Sequence, residues 1–143
     1  MSMKWLAGAI FAEMLLAGST PAAAQPGTLQ GSRWSIVEVY GEPLPQDESP
    51  FIAFDDGRFT GRTACNFFHG TYATGADTIV LLTRLTTLRG CVIRNKRRSD
   101  ATLEALDSSA SYHLMGSMLT LADDTGEPVV RLEKQADQTT PAP

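Results

Sequence analysis

The residues that could do chemistry in this 143-residue chain gather in the stretch GRTACNFFHGTY, positions 61–72. Cys65 and His69 stand four residues apart there and suggest a nucleophile with its base. On an extended strand those four residues span about 13 Å, far outside hydrogen-bond reach, so catalysis would require a tight turn or bulge. Adding Cys91 and His113 yields two Cys and two His, the right number for structural zinc. Their spacing resembles no zinc motif, in which ligands pair two to four residues apart. There is no G-x-S-x-G serine-hydrolase turn, and no glycine-rich loop opens a helix in the order a phosphate cradle needs. The carboxylate pairs Asp55-Asp56 and Asp123-Asp124 lie beside Gly57 and Gly126, where aspartate serves backbone turns. The residues point away from an enzyme, and no catalytic residue, metal ligand or cofactor is assigned.

The two cysteines also bear on compartment. Residues 1–24 read as a signal peptide: Lys4 supplies a positive start, residues 5–16 a short apolar run, and Ala22-Ala23-Ala24 a small-residue cleavage site. A membrane span needs roughly 20 apolar residues, and this run is shorter and carries Glu13. The expectation is a mature chain without a transmembrane segment, exported to the periplasm or secreted. In that oxidising setting the even pair Cys65 and Cys91 reads first as a structural disulfide. The net charge of −4 argues against nucleic acid as a partner, since such binders show a strongly basic face.

One basic run stands out against that acidity, RGCVIRNKRRS. It holds Arg89, Arg94, Lys96, Arg97 and Arg98 near the start of the one helical pattern. Cations there oppose the helix dipole, so helix stability does not explain them. They read either as a solvated loop or as a patch for an anionic envelope component, whether lipid headgroup, glycolipid phosphate or acidic protein.

The elements that must position these residues are mostly strands. From Trp34 onward, short β-rich runs alternate with turn signals, the pattern of an antiparallel meander or barrel. RWSIVEVYG is a strand and EPLPQDESP a loop. FIAFDDGRFTGRTA is a hairpin turning at Asp55-Asp56-Gly57, and FFHGTYATGADTIVLLTRL a second turning at residues 74–77. SDATLEALDSSA shows helical spacing, with Leu103 and Leu106 on one face and Ser99 or Asp100 as the cap. SYHLM and MLTLA follow, joined by Gly116-Ser117, and PVVRLE is the last strand. The domain is expected over residues 25–134, and the polar tail 135–143 is expected to be disordered. The fold class is mainly β: an antiparallel, partly open barrel-like meander with one packed helix.

The order of these pieces resembles the META domain, a family that includes the HslJ-like heat-inducible proteins of bacterial envelopes. A tryptophan-led strand, FDDGRFTG, ACNFFHGTY, a threonine-led TTLRGC, one helix and LTLADDTG follow one another as in that family. Cys65, Asn66, Gly70 and Tyr72 fall on the family's first motif, and Thr87 and Cys91 on its second. The sequence departs at Ala64, where glycine is usual, at Arg89 in place of methionine, and at Gly90 in place of alanine. The resemblance implies a compact, partly open β-barrel with a helix, tied to envelope stress, and no shared reaction. In the opening stretch, Asn66 is a residue that tolerates a left-handed backbone and can bond its own chain, and Gly70 is expected to relieve a crowded or bulged strand position. Phe68 and Tyr72 are expected to face the core, with Phe67 on the other side.

Three functional classes are compatible with this reading. The leading one is a non-enzymatic exported binding module in envelope maintenance or stress response, whose partner is an envelope protein or an anionic envelope component. The alternative is a small periplasmic β-barrel inhibitor of a protease or lysozyme, acting through a loop. The third is a carrier of a small apolar ligand inside the barrel, for which a chain of this size leaves little room.

Overall fold

A computed structural model of the chain describes residues 29–85 and 91–135. The expected signal peptide, Thr87, Arg89, Gly90 and all but the first residue of the expected tail lie outside the described residues. The strands are β1 (Ser32–Val39), β2 (Glu42–Pro43), β3 (Phe51–Asp55), β4 (Arg58–Arg62), β5 (Phe67–Thr74), β6 (Ile79–Leu85), β7 (Ser111–Met115), β8 (Met118–Ala122) and β9 (Pro128–Lys134). The one α-helix among the described residues, α1 (Ile93–Ser108), falls between β6 and β7.

Among the described residues the strands pair antiparallel throughout and run in the order β6-β5-β4-β3-β1-β9-β8-β7, with β2 added beside β1. The sheet curls until its two ends meet over a short distance. Thr78 bridges Ser111, Ile79 N–H donates to the Ala110 carbonyl at 3.0 Å, and Tyr112 N–H donates to the Asp77 carbonyl at 2.9 Å. Beyond that zipped end, α1 packs against β6, β9 and β1 and covers the free edge of β6. There the Asp107 carboxylate accepts a bond from Thr83 N–H at 3.1 Å. The result is the partly open barrel with one packed helix that the sequence pattern calls for.

Alternation of side chains explains the inside of the barrel. Trp34 and Ile36 of β1, Ile52 and Phe54 of β3, Phe59 of β4 and Phe68 of β5 point inward and are almost wholly buried. A register shift between Ile36 and Glu38 against β9 turns Val39 inward in place of Glu38, which keeps the carboxylate out of the core. Leu119, Leu121 and Leu132 complete the layer from β8 and β9, and Leu106 of α1 closes it. The Trp34 indole N–H donates to Ser32 Oγ at 2.8 Å, and Ser32 Oγ donates to the Leu29 carbonyl, so the polar edge of the indole is satisfied. Among the described residues these side chains form one buried hydrophobic cluster inside the curl of the sheet.

Two expectations change. The helix starts at Ile93, six residues before Ser99, and Val92 occupies the capping position without a side-chain bond. The segment EPLPQDESP is more ordered than a loop, since it contains β2 and a 3-10 turn, Gln46–Glu48. The hairpin turns are where the sequence places them. Asp56 and Gly57 both adopt positive φ, 52° and 73°, as a two-residue hairpin turn of the primed kind requires.

Candidate functional site

The opening stretch is a knot of structure. Cys65 and Cys91 form a disulfide, with Cα atoms 6.0 Å apart, and no free cysteine exists among the described residues. Neither sulfur is therefore a thiolate for catalysis or for zinc. His69 lies on the outer face of β5 opposite Thr60 and Arg84, while His113 sits on β7 opposite Thr120. The Cys–His pairs that the sequence suggests are thus not assembled.

The turn that carries Cys65 is organised by a residue the sequence analysis passed over. Thr63 is buried, and its N–H bonds the Asn66 carbonyl at 2.8 Å to close the turn. Its Oγ1 donates to the same carbonyl at 3.1 Å and accepts from the amides of Cys65 at 3.2 Å and Asn66 at 2.9 Å. Ser99 Oγ, buried on α1, then contacts Thr63 Oγ1 at 2.6 Å. Either hydroxyl can donate in that contact. Ser99 therefore ties the helix to the Cys65 turn instead of capping it, and Asp100 pairs with Lys96. The only sequence signal for this hub is a threonine poised to bond backbone two and three residues on.

The family-motif positions follow. Asn66 does not take the left-handed conformation, because positive φ outside glycine is confined to Tyr40, Ser49 and Asp56 among the described residues. The Thr63 bonds turn the chain without it. Gly70 is crowded as expected: a Cβ there would collide with the Leu82 carbonyl oxygen and stand 2.5 Å from the Phe59 ring. Phe68 is buried, Tyr72 packs edge-on against Phe54 with centroids 4.9 Å apart, and Phe67 faces out, 40% exposed. Burial raises the Tyr72 phenol above its ordinary value, with the carboxylates of Asp55 and Asp56 adding to it.

From Arg94 to Arg98 the basic run forms the first turns of α1, not a loop. Arg98 leaves the candidate patch, because it bonds Glu48 at 3.1 Å and Asn95 at 2.7 Å in a half-buried setting. Lys96 shares its charge with Asp100 at 2.8 Å. Arg94 and Arg97 are exposed and have no ion-pair partner among the described residues. Beside them, Val92 and Ile93 are 67% and 71% exposed, so two bare aliphatic side chains adjoin two unpaired guanidinium groups.

A small, disulfide-stapled, partly open antiparallel barrel with a single packed helix is thus the class of protein defined by the fold and the Cys65 knot. The META domain model matches residues 27–136, and the chain belongs to that family. No curated protein matches it. Among solved structures, one determined by NMR is 24% identical over 80% of this chain and 97% of its own, with a TM-score of 0.62. A DUF4847 family protein from Bacteroides vulgatus is 22% identical over 76% of this chain and 97% of its own, with a TM-score of 0.56. A protein from Burkholderia xenovorans is 15% identical over 76% of this chain and 85% of its own, with a TM-score of 0.59. At these identities the likeness is one of fold.

Proposed function

We propose that this META domain protein is a non-enzymatic, exported binding module of the bacterial envelope that docks on an anionic lipid surface in envelope maintenance or stress response. The observation that carries the reading is the tip of α1, where Val92 and Ile93 are bare beside Arg94 and Arg97. Aliphatic side chains gain by entering the headgroup–acyl boundary, about 1.5–3 kcal/mol each if fully buried. Each nearby cation adds about 1 kcal/mol against an anionic surface. The combined strength is on the order of 5 kcal/mol, which corresponds to reversible, sub-millimolar attachment. The disulfide is compatible with an oxidising compartment, and no helix among the described residues is long and apolar enough to cross a membrane.

Co-sedimentation with vesicles of mixed zwitterionic and anionic phospholipid at low salt tests the reading. The full chain should pellet with them and not with purely zwitterionic vesicles. Arg94→Ser with Arg97→Ser, or Val92→Ser with Ile93→Ser, should reduce the bound fraction about tenfold. Equal sedimentation by the variants, or none by the parent chain, refutes it.

The inhibitor reading retains one observation in its favour. The hairpin joining β7 and β8 projects Met115, 69% exposed, and Met118 around Gly116-Ser117. Inhibition of a secreted protease or lysozyme that is lost in Met115→Asp would favour it over the lipid reading.

A further inference from the structure

The outer face of the sheet carries a second pattern, independent of the helix tip. Register places Phe51 of β3 and Phe67 of β5 on either side of Arg62 of β4. In the adjoining row stand Arg33, Ala53, Thr60, His69 and Arg84, and beyond it Asp55, Arg58, Thr71 and Leu82. Arg33, Arg58, Arg62 and Arg84 thus share this face, and none of them belongs to an ion pair among the described residues. On a chain of net charge −4 this is a local cationic field.

The aromatic residues of that face frame a hollow of about 500 Å³ lined by Phe51, Thr60, Gly61, Phe67, Phe68 and His69. Guanidinium groups stand at its rim: Arg33 lies 3.8 Å from the centroid of the Phe51 ring, and Arg62 lies 5.8 Å from that of Phe67. Because Phe51 and Phe67 flank one strand, their backbones are two strand spacings apart, about 9.5 Å. The midpoint of that row is taken by Arg62, and the hollow lies beside it over Thr60 and Gly61, so a third ring seated there would meet Phe51 on one side and Phe67 on the other. Carboxylates on either side of that ring would meet Arg33 and Arg62, each held in place by the ring it covers.

We propose that this face binds an acidic peptide segment bearing an aromatic residue, the ring entering between Phe51 and Phe67 and the flanking carboxylates pairing with Arg33 and Arg62. A lamella of lipid fits less well, because the face is a concave hollow walled by rings and its exposed aliphatic, Leu82, stands apart from that hollow. A nucleic acid is disfavoured by the acidity of the whole chain.

The test uses the full chain and the capped peptide Glu-Asp-Phe-Asp-Glu, followed by amide NMR shifts. The shifts should move at Phe51, Thr60, Phe67 and His69, and affinity should fall as salt rises. Phe67→Ser should weaken binding about tenfold and Arg62→Ser about fivefold. Both side chains are exposed, so melting temperature serves to confirm that the fold survives. A peptide with Leu in place of Phe should bind at least about fivefold more weakly, a readout that needs no protein variant. Unmoved shifts at those four residues with millimolar peptide, or equal affinity in Phe67→Ser, overturn the proposal. So does tighter binding of a thymidine oligonucleotide or of anionic vesicles at the same residues. Failure of the α1 tip to bind vesicles leaves this site standing, since the two share no residue.

Discussion

Removing the Cys65–Cys91 disulfide should destabilise the domain and should do so unevenly. The two cysteines are 26 residues apart in sequence. On the chain-entropy model, a loop of that length constrains the unfolded state by about 3.5 kcal/mol at 25 °C. Folded domains have about 5–15 kcal/mol in all, so this is a large fraction, equivalent to a fall in melting temperature of roughly 10–20 °C for a domain of this size. The helix start makes the effect local as well. α1 begins without a side-chain cap and without an acidic residue in its first turn, while Arg94, Lys96, Arg97 and Arg98 crowd its positive end. Each exposed cation there costs about 0.3–1 kcal/mol. What holds the first turns down is the Cys91 bridge immediately before them, the Ser99–Thr63 bond and the Arg98–Glu48 pair. Urea denaturation of Cys65→Ala/Cys91→Ala against the parent chain should therefore show a loss near 3.5 kcal/mol. Amide exchange in the same variant should accelerate at Lys96 to Arg98 well before it does in β1, β3 or β9. A loss under about 1 kcal/mol, or uniform acceleration across sheet and helix, would refute the reasoning.

Other consequences follow from single positions. Gly70→Ala sets a methyl group against the Leu82 carbonyl and the Phe59 ring. Neither can retreat without moving the β5–β6 ladder, so urea midpoints should reveal a loss of about 2 kcal/mol or more. Thr63→Val keeps the shape but strips the turn of its hub and leaves Ser99 Oγ without its partner. A cost of about 2–3 kcal/mol is expected by the same assay, and a double-mutant cycle with Ser99→Ala should return a coupling of about 1 kcal/mol. Asp123 accepts a bond from Thr125 Oγ1 at 2.6 Å, the leading cause holding its carboxyl below the usual aspartate value, helped by the amides of Glu127, Thr125 and Gly126. A folded value below the unfolded one means the contribution is present above the unfolded pKa and lost as pH falls through the folded one. A carbon-detected NMR titration should therefore place the Asp123 midpoint below that of free aspartate, and Thr125→Val should move it up.

The sheet was far more legible in the sequence than the knot that dominates the candidate site. Hairpins announce themselves through short-range chemistry: Asp56-Gly57 needs positive φ at both positions, and Gly116 adopts φ 61° at the first turn position between β7 and β8. The crowding at Gly70 was also readable, because a glycine between inward-facing Phe68 and Tyr72 is explicable only by something close above it. The helix start was not. Propensity and charge argue against a helix beginning at Ile93, and what overrides them is tertiary: a bridge to Cys65 and a buried hydroxyl pair 36 residues apart in sequence. The tolerance of Asn66 for a left-handed backbone goes unused for a related reason, since Thr63 supplies the turn bonds. Arg98 looked like part of a charge patch because its partner, Glu48, lies 50 residues away in a segment that reads as a loop. The outer hollow between Phe51 and Phe67 depends on a register across three strands, which single-chain spacing does not encode.

The central claim, that the tip of α1 meets an anionic lipid surface, is tested most directly by paramagnetic broadening. The full, oxidised chain would be mixed with anionic bicelles that carry a spin label near the headgroups, and amide signals followed residue by residue. Signals at Val92, Ile93, Arg94 and Arg97 should broaden first, with those of β8 and the β3–β4 turn at Asp56-Gly57 unaffected. Broadening that spares Val92 and Ile93, or that spreads evenly over the barrel, would contradict the account.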